Sequence, residues 1–299
     1  HIRDILNQNK PSFSFEFFPP KTPKGAARLF ATIKQLESFR PSFVSVTYHA
    51  NDAAEDLTHD LVIKIKNSTS LDPIPHLTCA GQTREDIRLV LKRYAISGVS
   101  NILALAGDPP QVQESDQTGV NRFKRAAELV AFIRQFNRDS LHPDPRGFGI
   151  GVAGFPEGHP QTPNRLREMD YLKAKVDQGA DYICTQLFFD NRDFYDFCER
   201  CEIAGIHVPI IAGLMPVTSL SSLNRMAELA GGARFPAPLL KAIDRCRDDE
   251  EAIKRVGIQY ATQQCHDLLN NNVSGIHFYT LNQSTATREI YTNLGFKPK

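Results

Sequence analysis

The chain has 299 residues, 41% of them hydrophobic, enough to bury a sizeable core in one large domain or two smaller ones. Its 35 Lys and Arg balance 34 Asp and Glu, so the charge points to neither nucleic acid nor an anionic membrane as partner. No apolar run approaches a membrane span, no signal-peptide pattern is visible, and six cysteines in so long a chain make no disulfide framework, which suits a reducing cytoplasm.

Strand-like apolar runs recur along the chain, most of them followed by a helical pattern. SFEFF (14–18) precedes KGAARLFATIKQLESF, and FVSVTY (43–48) precedes EDLTHDLVIKIKN. PHLTC (75–79) leads into TREDIRLVLKRYAISG, where Thr83 with Asp86 fits an N-cap followed by an acid in the first turn. NILALAG (101–107) is followed by a polar loop to residue 121 and then by NRFKRAAELVAFIRQF. FGIGVAGF (148–155) precedes a helix over about 164–179, and DYICTQLFF (181–189) precedes the amphipathic NRDFYDFCERCEIAG. VPIIAGLMP (208–216) precedes SLSSLNRMAELAGG, helical sequence fills 239–271, and GIHFYTL (275–281) is followed by a last helix ending at Gly295.

Eight strand candidates alternating with helices predict an α/β protein with a parallel sheet. Eight units in a chain of this length fit a closed (β/α)8 TIM barrel, a single domain over 1–299, better than an open doubly wound sheet. No G-x-G-x-x-G follows the first strand, which weakens an open dinucleotide fold further. The lone C-x-x-C, Cys198 and Cys201, has no second pair or nearby histidine to complete a zinc site and reads as ordinary helix cysteines, so no metal is expected.

Chemistry in such a barrel lies at the carboxyl ends of the strands. Alternation along the first strand sends Phe13, Phe15 and Phe17 toward the outer helices and Ser14 and Glu16 into the barrel, near its open end. Strand two ends in Thr47, Tyr48 and His49, strand three carries His76 and Thr78, and strand four runs into Gly107 and Asp108. Strand five ends in a loop with Glu157 and His159, strand six carries Gln186, and strand eight carries His277 and Tyr279. Each taken alone has a structural explanation as a satisfied core group or a turn residue. Their convergence on one barrel mouth points to an enzyme with a polar pocket, and does not name its substrate.

The stretches SFEFFPPKT, FVSVTY, PHLTC, LALAGDPP, AGFPEGHP, YLKAKVDQGADYICTQLFFD and GIHFYTLNQS, in this order from Phe13 to Ser284, resemble the methylenetetrahydrofolate reductase family, of the bacterial type without a separate regulatory domain. The resemblance implies reduction of 5,10-methylenetetrahydrofolate to 5-methyltetrahydrofolate by NADH or NADPH through non-covalent FAD, in a cytoplasmic homo-oligomer serving one-carbon metabolism and methionine supply. By residue-wise match Glu16 is the general acid, Asp108 a catalytic carboxylate near the flavin that also contacts the pterin, and Gln186, with Tyr279, a folate contact. The FAD site falls on Thr47, Tyr48, His49, His76, Ala106, Gly107 and Asp108, and on Phe155, His159, Glu168, Tyr171 and Lys175. Three positions depart from the family pattern: Ala106 stands where an arginine is usual, His49 where a glycine is, and Phe155 where a tyrosine is common. A non-redox tetrahydrofolate-dependent one-carbon transferase and a non-catalytic folate-binding barrel are the alternatives; the first would need no flavin.

Overall fold

The computed structural model describes residues 1–48, 52–107, 122–139, 141–229 and 233–298. Eight parallel strands close into a barrel in sequence order: β1 (Ser12–Phe17), β2 (Phe43–Val46), β3 (Pro73–Thr78), β4 (Asn101–Leu105), β5 (Gly149–Gly154), β6 (Tyr182–Thr185), β7 (Ile210–Leu214) and β8 (Gly275–Tyr279). The closing pair is β1 with β8, where Glu16 lies opposite Tyr279; on its other side Glu16 lies opposite Ser45 of β2. The (β/α)8 expectation is met. The strands are shorter at their carboxyl ends than the apolar runs suggest, because residues such as Thr47, Tyr48, Gln186 and Leu187 already belong to the loops of the mouth.

The strand faces explain the closure. Outward residues Phe15, Phe17, Val44, Val46, Ile102 and Ile150 are fully buried under a ring of helices. These are α2 (Pro23–Glu37), α3 (Asp52–Ser68), α4 (Arg84–Ile96), α5 (Ala126–Arg138), α6 (Arg165–Asp177), α7 (Asn191–Ile203) and α8 (Leu220–Leu229), then α9 (Ala237–Asp244), α10 (Glu250–Asn270) and α11 (Thr285–Asn293). Phe13 and Phe15 pack on Tyr291 of α11 at centroid distances of 5.2 and 5.5 Å. The capping residues set where the helices begin. Thr83 and Asp86 form a reciprocal capping box at α4, and Asn164 accepts from the N–H groups of Leu166 and Arg167 at α6. The single helical stretch expected over 239–271 is two helices, because Asp249 accepts from the Ala252 N–H and restarts the chain as a new N-cap.

A further helix, α1 (Ile2–Gln8), was not anticipated; seven residues are too few for a periodic pattern to stand out. It plugs the amino-terminal end of the barrel. Ile2 and Leu6 pack on Phe43, Ile74, Leu103, Tyr182 and Ile211, and the Ile2 N–H donates to Asn101 Oδ1 at 2.6 Å. Asp181 holds this end together. Its buried carboxylate accepts from Arg3 at 2.6 Å, from Arg134 at 2.7 Å and from the Ile150 N–H at 2.7 Å.

Asp181→Ala leaves Arg134, only partly exposed, without its counter-charge and the Ile150 amide without an acceptor. Losing one partner of a buried ion pair costs on the order of 3–5 kcal/mol, and urea unfolding of this variant should show a loss of about 3 kcal/mol, near the lower end because Arg134 keeps its bond to the Gly179 carbonyl. A loss below about 1 kcal/mol, the range of exposed pairs, would mean that the clasp adds nothing beyond a surface contact.

Candidate active site

The period of two in β1 turns Ser12, Ser14 and Glu16 inward. Glu16 is the last of the three, near the carboxyl mouth, with its side chain 20% exposed. Loss of hydration pushes its pKa from the usual 4.5 up to about 8. Two imidazoles flank it: His76 Nε2 of β3 stands 3.4 Å from Glu16 Oε2, and His277 Nε2 of β8 stands 4.0 Å away. Burial lowers these rings to about 4 and about 3, the second helped by the proximity of His76. At neutral pH the centre of the barrel therefore holds a protonated acid and two uncharged imidazoles. His277 is bonded on both nitrogens, to Ser14 Oγ at 2.7 Å and to Ser45 Oγ at 3.2 Å.

Across the barrel, Gln186 follows β6. Its backbone N–H donates to the Gly154 carbonyl and its side-chain oxygen accepts from the Leu187 N–H, both at 2.8 Å. With Phe155, Glu157, His159 and Arg165 it lines a cavity of about 240 Å³. The Tyr279 hydroxyl donates to the Thr185 carbonyl at 2.6 Å. The ring reaches that far because Gly213 has no side chain; a Cβ there would meet the Thr185 oxygen at 2.2 Å and the Tyr279 ring at 2.8 Å.

The rim over β2 to β5 has a different character. Thr47 Oγ1, Thr78 Oγ1 and His76 Nε2 are buried and have no hydrogen-bond partner among the described residues. Gly107 sits over Thr78 with φ +81, and a Cβ would lie 2.8 Å from the Thr78 side chain, so both conformation and space require glycine. Ala106 is exposed, and its carbonyl accepts from the Ala80 N–H at 2.8 Å. Tyr48 is buried, with its hydroxyl 3.4 Å from Gln82 Nε2. His49 and Asp108 lie outside the described residues.

On the β5–α6 side, the Phe155 and His159 rings meet edge to face at 4.5 Å. Glu168, Tyr171 and Lys175 share one face of α6 by their spacing. Glu168 is buried with Oε2 unpartnered, and burial raises its pKa. The Lys175 ammonium donates to the Ala153 carbonyl at 2.6 Å; burial lowers it to about 8, partly opposed by Glu168. Arg125 covers the Tyr171 ring at 3.8 Å.

The described candidates thus form an inner group around Glu16 and His76, a rim group from Thr47 to Gly107, and a third from Phe155 to Lys175. Ser14, Thr78 and His277, named from the strand pattern without a specific role, belong to these groups, and so does Ser45, which the sequence did not single out. Inward alternation was the available signal, since Ser14 shares the face of Glu16 and Ser45 is the inward residue of β2. Glu157 proves to be an anchor for a neighbouring loop, accepting from the Arg234 N–H at 2.7 Å.

The comparisons with known proteins point one way. The family model described as methylenetetrahydrofolate reductase matches residues 1–295. Methylenetetrahydrofolate reductase (NADH) 1 of Arabidopsis thaliana is 37% identical over 98% of this chain, and methylenetetrahydrofolate reductase 1 of Schizosaccharomyces pombe 36% over 96%. The chain spans about half the length of these two relatives, 50% and 46%. The 5,10-methylenetetrahydrofolate reductase of Escherichia coli is 35% identical, with 99% of this chain and 97% of that protein covered. A Clostridium thermocellum protein whose structure is described as binding two copies of 5-methyl-5,6,7,8-tetrahydrofolic acid shares the fold, with TM-score 0.61, 16% identity and coverage of 98% of this chain and 97% of that one.

The buried acid has a consequence for stability. Between about pH 4.5 and 8 the folded protein keeps a proton on Glu16 that the unfolded chain has lost, so this group makes stability fall as pH rises through that window. His76 and His277, depressed from 6.5, act oppositely: their contribution is lost as pH falls from 6.5 toward 4 and 3. Glu16→Gln removes only the first effect. Urea unfolding at pH 5 and pH 8 should show the variant nearly level with the parent at pH 5 and ahead by a few kcal/mol at pH 8, since each unit of pKa shift is worth about 1.4 kcal/mol. A margin that stays constant with pH would count against a buried neutral Glu16.

Proposed function

Because the chain belongs to the methylenetetrahydrofolate reductase family, we propose that it reduces 5,10-methylenetetrahydrofolate to 5-methyltetrahydrofolate with NADH or NADPH, using non-covalent FAD. Glu16 carries the reading: it is a carboxyl group held protonated at neutral pH, at the mouth of a barrel, where the chemistry needs a proton donor. We place the activity in the cytoplasm and in a homo-oligomer, as the family resemblance implies.

The residues present fit FAD. Unpartnered buried polar atoms at Thr47, Thr78, His76 and Glu168 call for a polar ligand at the rim, and the bare backbone of Gly107 gives one room to approach. Thr47, Tyr48, His76, Ala106 and Gly107 on one side, and Phe155, His159, Glu168, Tyr171 and Lys175 on the other, would hold it. When bound, FAD supplies the hydride chemistry that links nicotinamide oxidation to folate reduction in two half-reactions.

The chain's own work is proton delivery and orientation. The imidazolidine ring of the folate must open to an electrophilic iminium before it can accept hydride, and opening follows protonation of the leaving nitrogen. Glu16 is protonated to supply that proton because burial has raised its pKa. His76 is too weakly basic at about 4 to take the proton first. We assign Gln186, on the cavity wall, and Tyr279 to folate binding. The Tyr279 hydroxyl serves by fixing the carbonyl that precedes Gln186. Asp108 is assigned the pterin contact from the family match alone.

Two experiments test this. Glu16→Gln keeps size but has no proton to give. Anaerobic stopped-flow should show flavin reduction by NAD(P)H within a few-fold of the parent, with reoxidation by methylenetetrahydrofolate slowed by about 10²–10⁴, the usual worth of a general acid. Parent-like reoxidation would remove Glu16 from the chemistry. The second concerns Ala106, exposed where the family has an arginine. Ala106→Arg should tighten FAD about tenfold in a fluorescence titration, the low end for a charge-assisted bond. An unchanged dissociation constant would mean that the diphosphate lies away from this corner.

A further inference from the structure

His277 lies within the barrel beside Glu16 and is 1% exposed. Phe43 stacks on its ring at 6.1 Å and Tyr279 meets it edge-on at 5.3 Å, so the imidazole is packed on two sides. A neutral imidazole has one donor and one acceptor nitrogen, and the bond made by one fixes the role of the other. The contact between Ser14 Oγ and Nδ1 is 2.7 Å, the usual length when a hydroxyl donates. The contact between Ser45 Oγ and Nε2 is 3.2 Å, at the long end for an N–H donor. Both lengths fall within the N–H···O range, but the shorter contact at Nδ1 is the one a hydroxyl donor makes more readily, and with the Ser14 O–H donating there the ring proton stays on Nε2. That nitrogen is bonded to Ser45 and stands 4.0 Å from Glu16 Oε2.

We propose that Ser14 locks His277 in its Nε2–H tautomer, and that His277 is thereby a positioning residue holding an uncharged N–H donor ready for the carboxylate that Glu16 becomes on giving up its proton. This rests on the reading of Glu16 as the acid. The step balances: the Glu16 proton goes to the substrate nitrogen, the electron pair of the broken O–H bond stays on Glu16, and His277 neither gains nor loses a proton. Its N–H passes from Ser45 Oγ to Glu16 Oε2, a closure of about 1 Å to reach hydrogen-bond distance.

The other groups facing Glu16 do not supply this donor. His76 of β3 is nearer, at 3.4 Å, but its Nε2 is unpartnered, so no hydrogen bond among the described residues fixes which of its nitrogens carries the proton, whereas both nitrogens of His277 are held. The Tyr279 hydroxyl of β8 already donates to the Thr185 carbonyl, and Cys184 of β6, its thiol pushed up to about 12 by burial, offers only a weak S–H donor. Among the described residues no lysine or arginine lies within ion-pair distance of Glu16. A locked neutral donor eases formation of the carboxylate without a fixed positive charge, which would ionise the acid prematurely.

The test needs no turnover. Ring ¹⁵N and carboxyl ¹³C NMR of the full chain, with Glu16→Gln and His277→Gln assigning the signals, should find Nε2 protonated in the parent and a Glu16 midpoint near 8. Ser14→Ala, a small change at a position with no hydrogen bond to the carboxyl among the described residues, should return the ring to the Nδ1–H or a mixed tautomer. It should also raise the Glu16 midpoint by up to about one unit, a tenfold change in the ionisation constant. His277→Gln, whose amide can stand in for the Nε2–H, should keep the midpoint within a few tenths of a unit, whereas His277→Leu should raise it. A parent ring protonated on Nδ1 would overturn the proposal, and so would an unmoved midpoint in both Ser14→Ala and His277→Leu. If a variant fails to fold, the parent ¹⁵N spectrum and the remaining variant decide. Expected NMR results alongside parent-like folate reduction by Glu16→Gln would leave this donor arrangement standing and remove the acid role instead.

Discussion

A carboxyl group cut off from water with no cation to replace that water stays protonated, and the interior of this barrel is arranged around that fact. Glu16 has two imidazoles as its ion-pair-distance neighbours among the described residues, and both are themselves too desolvated to hold charge. An arginine in their place would draw the pKa of Glu16 back down and leave a carboxylate with no proton to give. The serines at positions 14 and 45 satisfy His277 without introducing charge. Neutral hydrogen bonding throughout this layer is what keeps the acid an acid.

The two ends of the barrel serve that layer differently. At the amino-terminal end, α1 and the residues beneath it form a separate apolar plug, and Asp181 pins the plug through Arg3 while bonding Arg134 and the Ile150 amide. Charge is tolerated there because it is fully paired. At the carboxyl end polar atoms are left unpaired, at Thr47, Thr78, His76 and Glu168. An unpaired buried polar atom costs about 1–3 kcal/mol; Asn101 Nδ2 beneath the plug and the Tyr291 hydroxyl on α11 bear the same cost, but at the mouth a polar ligand would offset it. Lys175 belongs to the same account: burial has lowered it to about 8, and an anion beside it would favour its charged form again.

Much of this was legible in the sequence, for reasons that differ by residue. Strand alternation has a period of two, so the inward direction of Glu16 followed from the three outward phenylalanines beside it. Thr83 with Asp86 was readable because a capping box is a local interaction between near neighbours. The split of 239–271 into α9 and α10 was harder: residues 244–251, DRCRDDEE, hold no Gly or Pro to announce a break, and the Asp249 cap marks the restart. The plug helix was not readable: what defines it is contact with five strands distant in sequence. The same holds for Gly213, whose missing side chain matters only because Tyr279 of β8 crosses over β7 to reach Thr185 of β6.

Ala106 shows how far substitution at one rim position can be absorbed. Its carbonyl is held by the Ala80 amide, which fixes the backbone leading into Gly107 whatever side chain stands there. Gly107, by contrast, is fixed by both its φ of +81 and its approach to Thr78. The side chain at position 106 is exposed and carries no part of the fold. The glycine next to it sets the shape of the cradle. An uncharged side chain at the first position therefore bears on the charge at the rim and not on the backbone around Gly107 or the neutral acid below it.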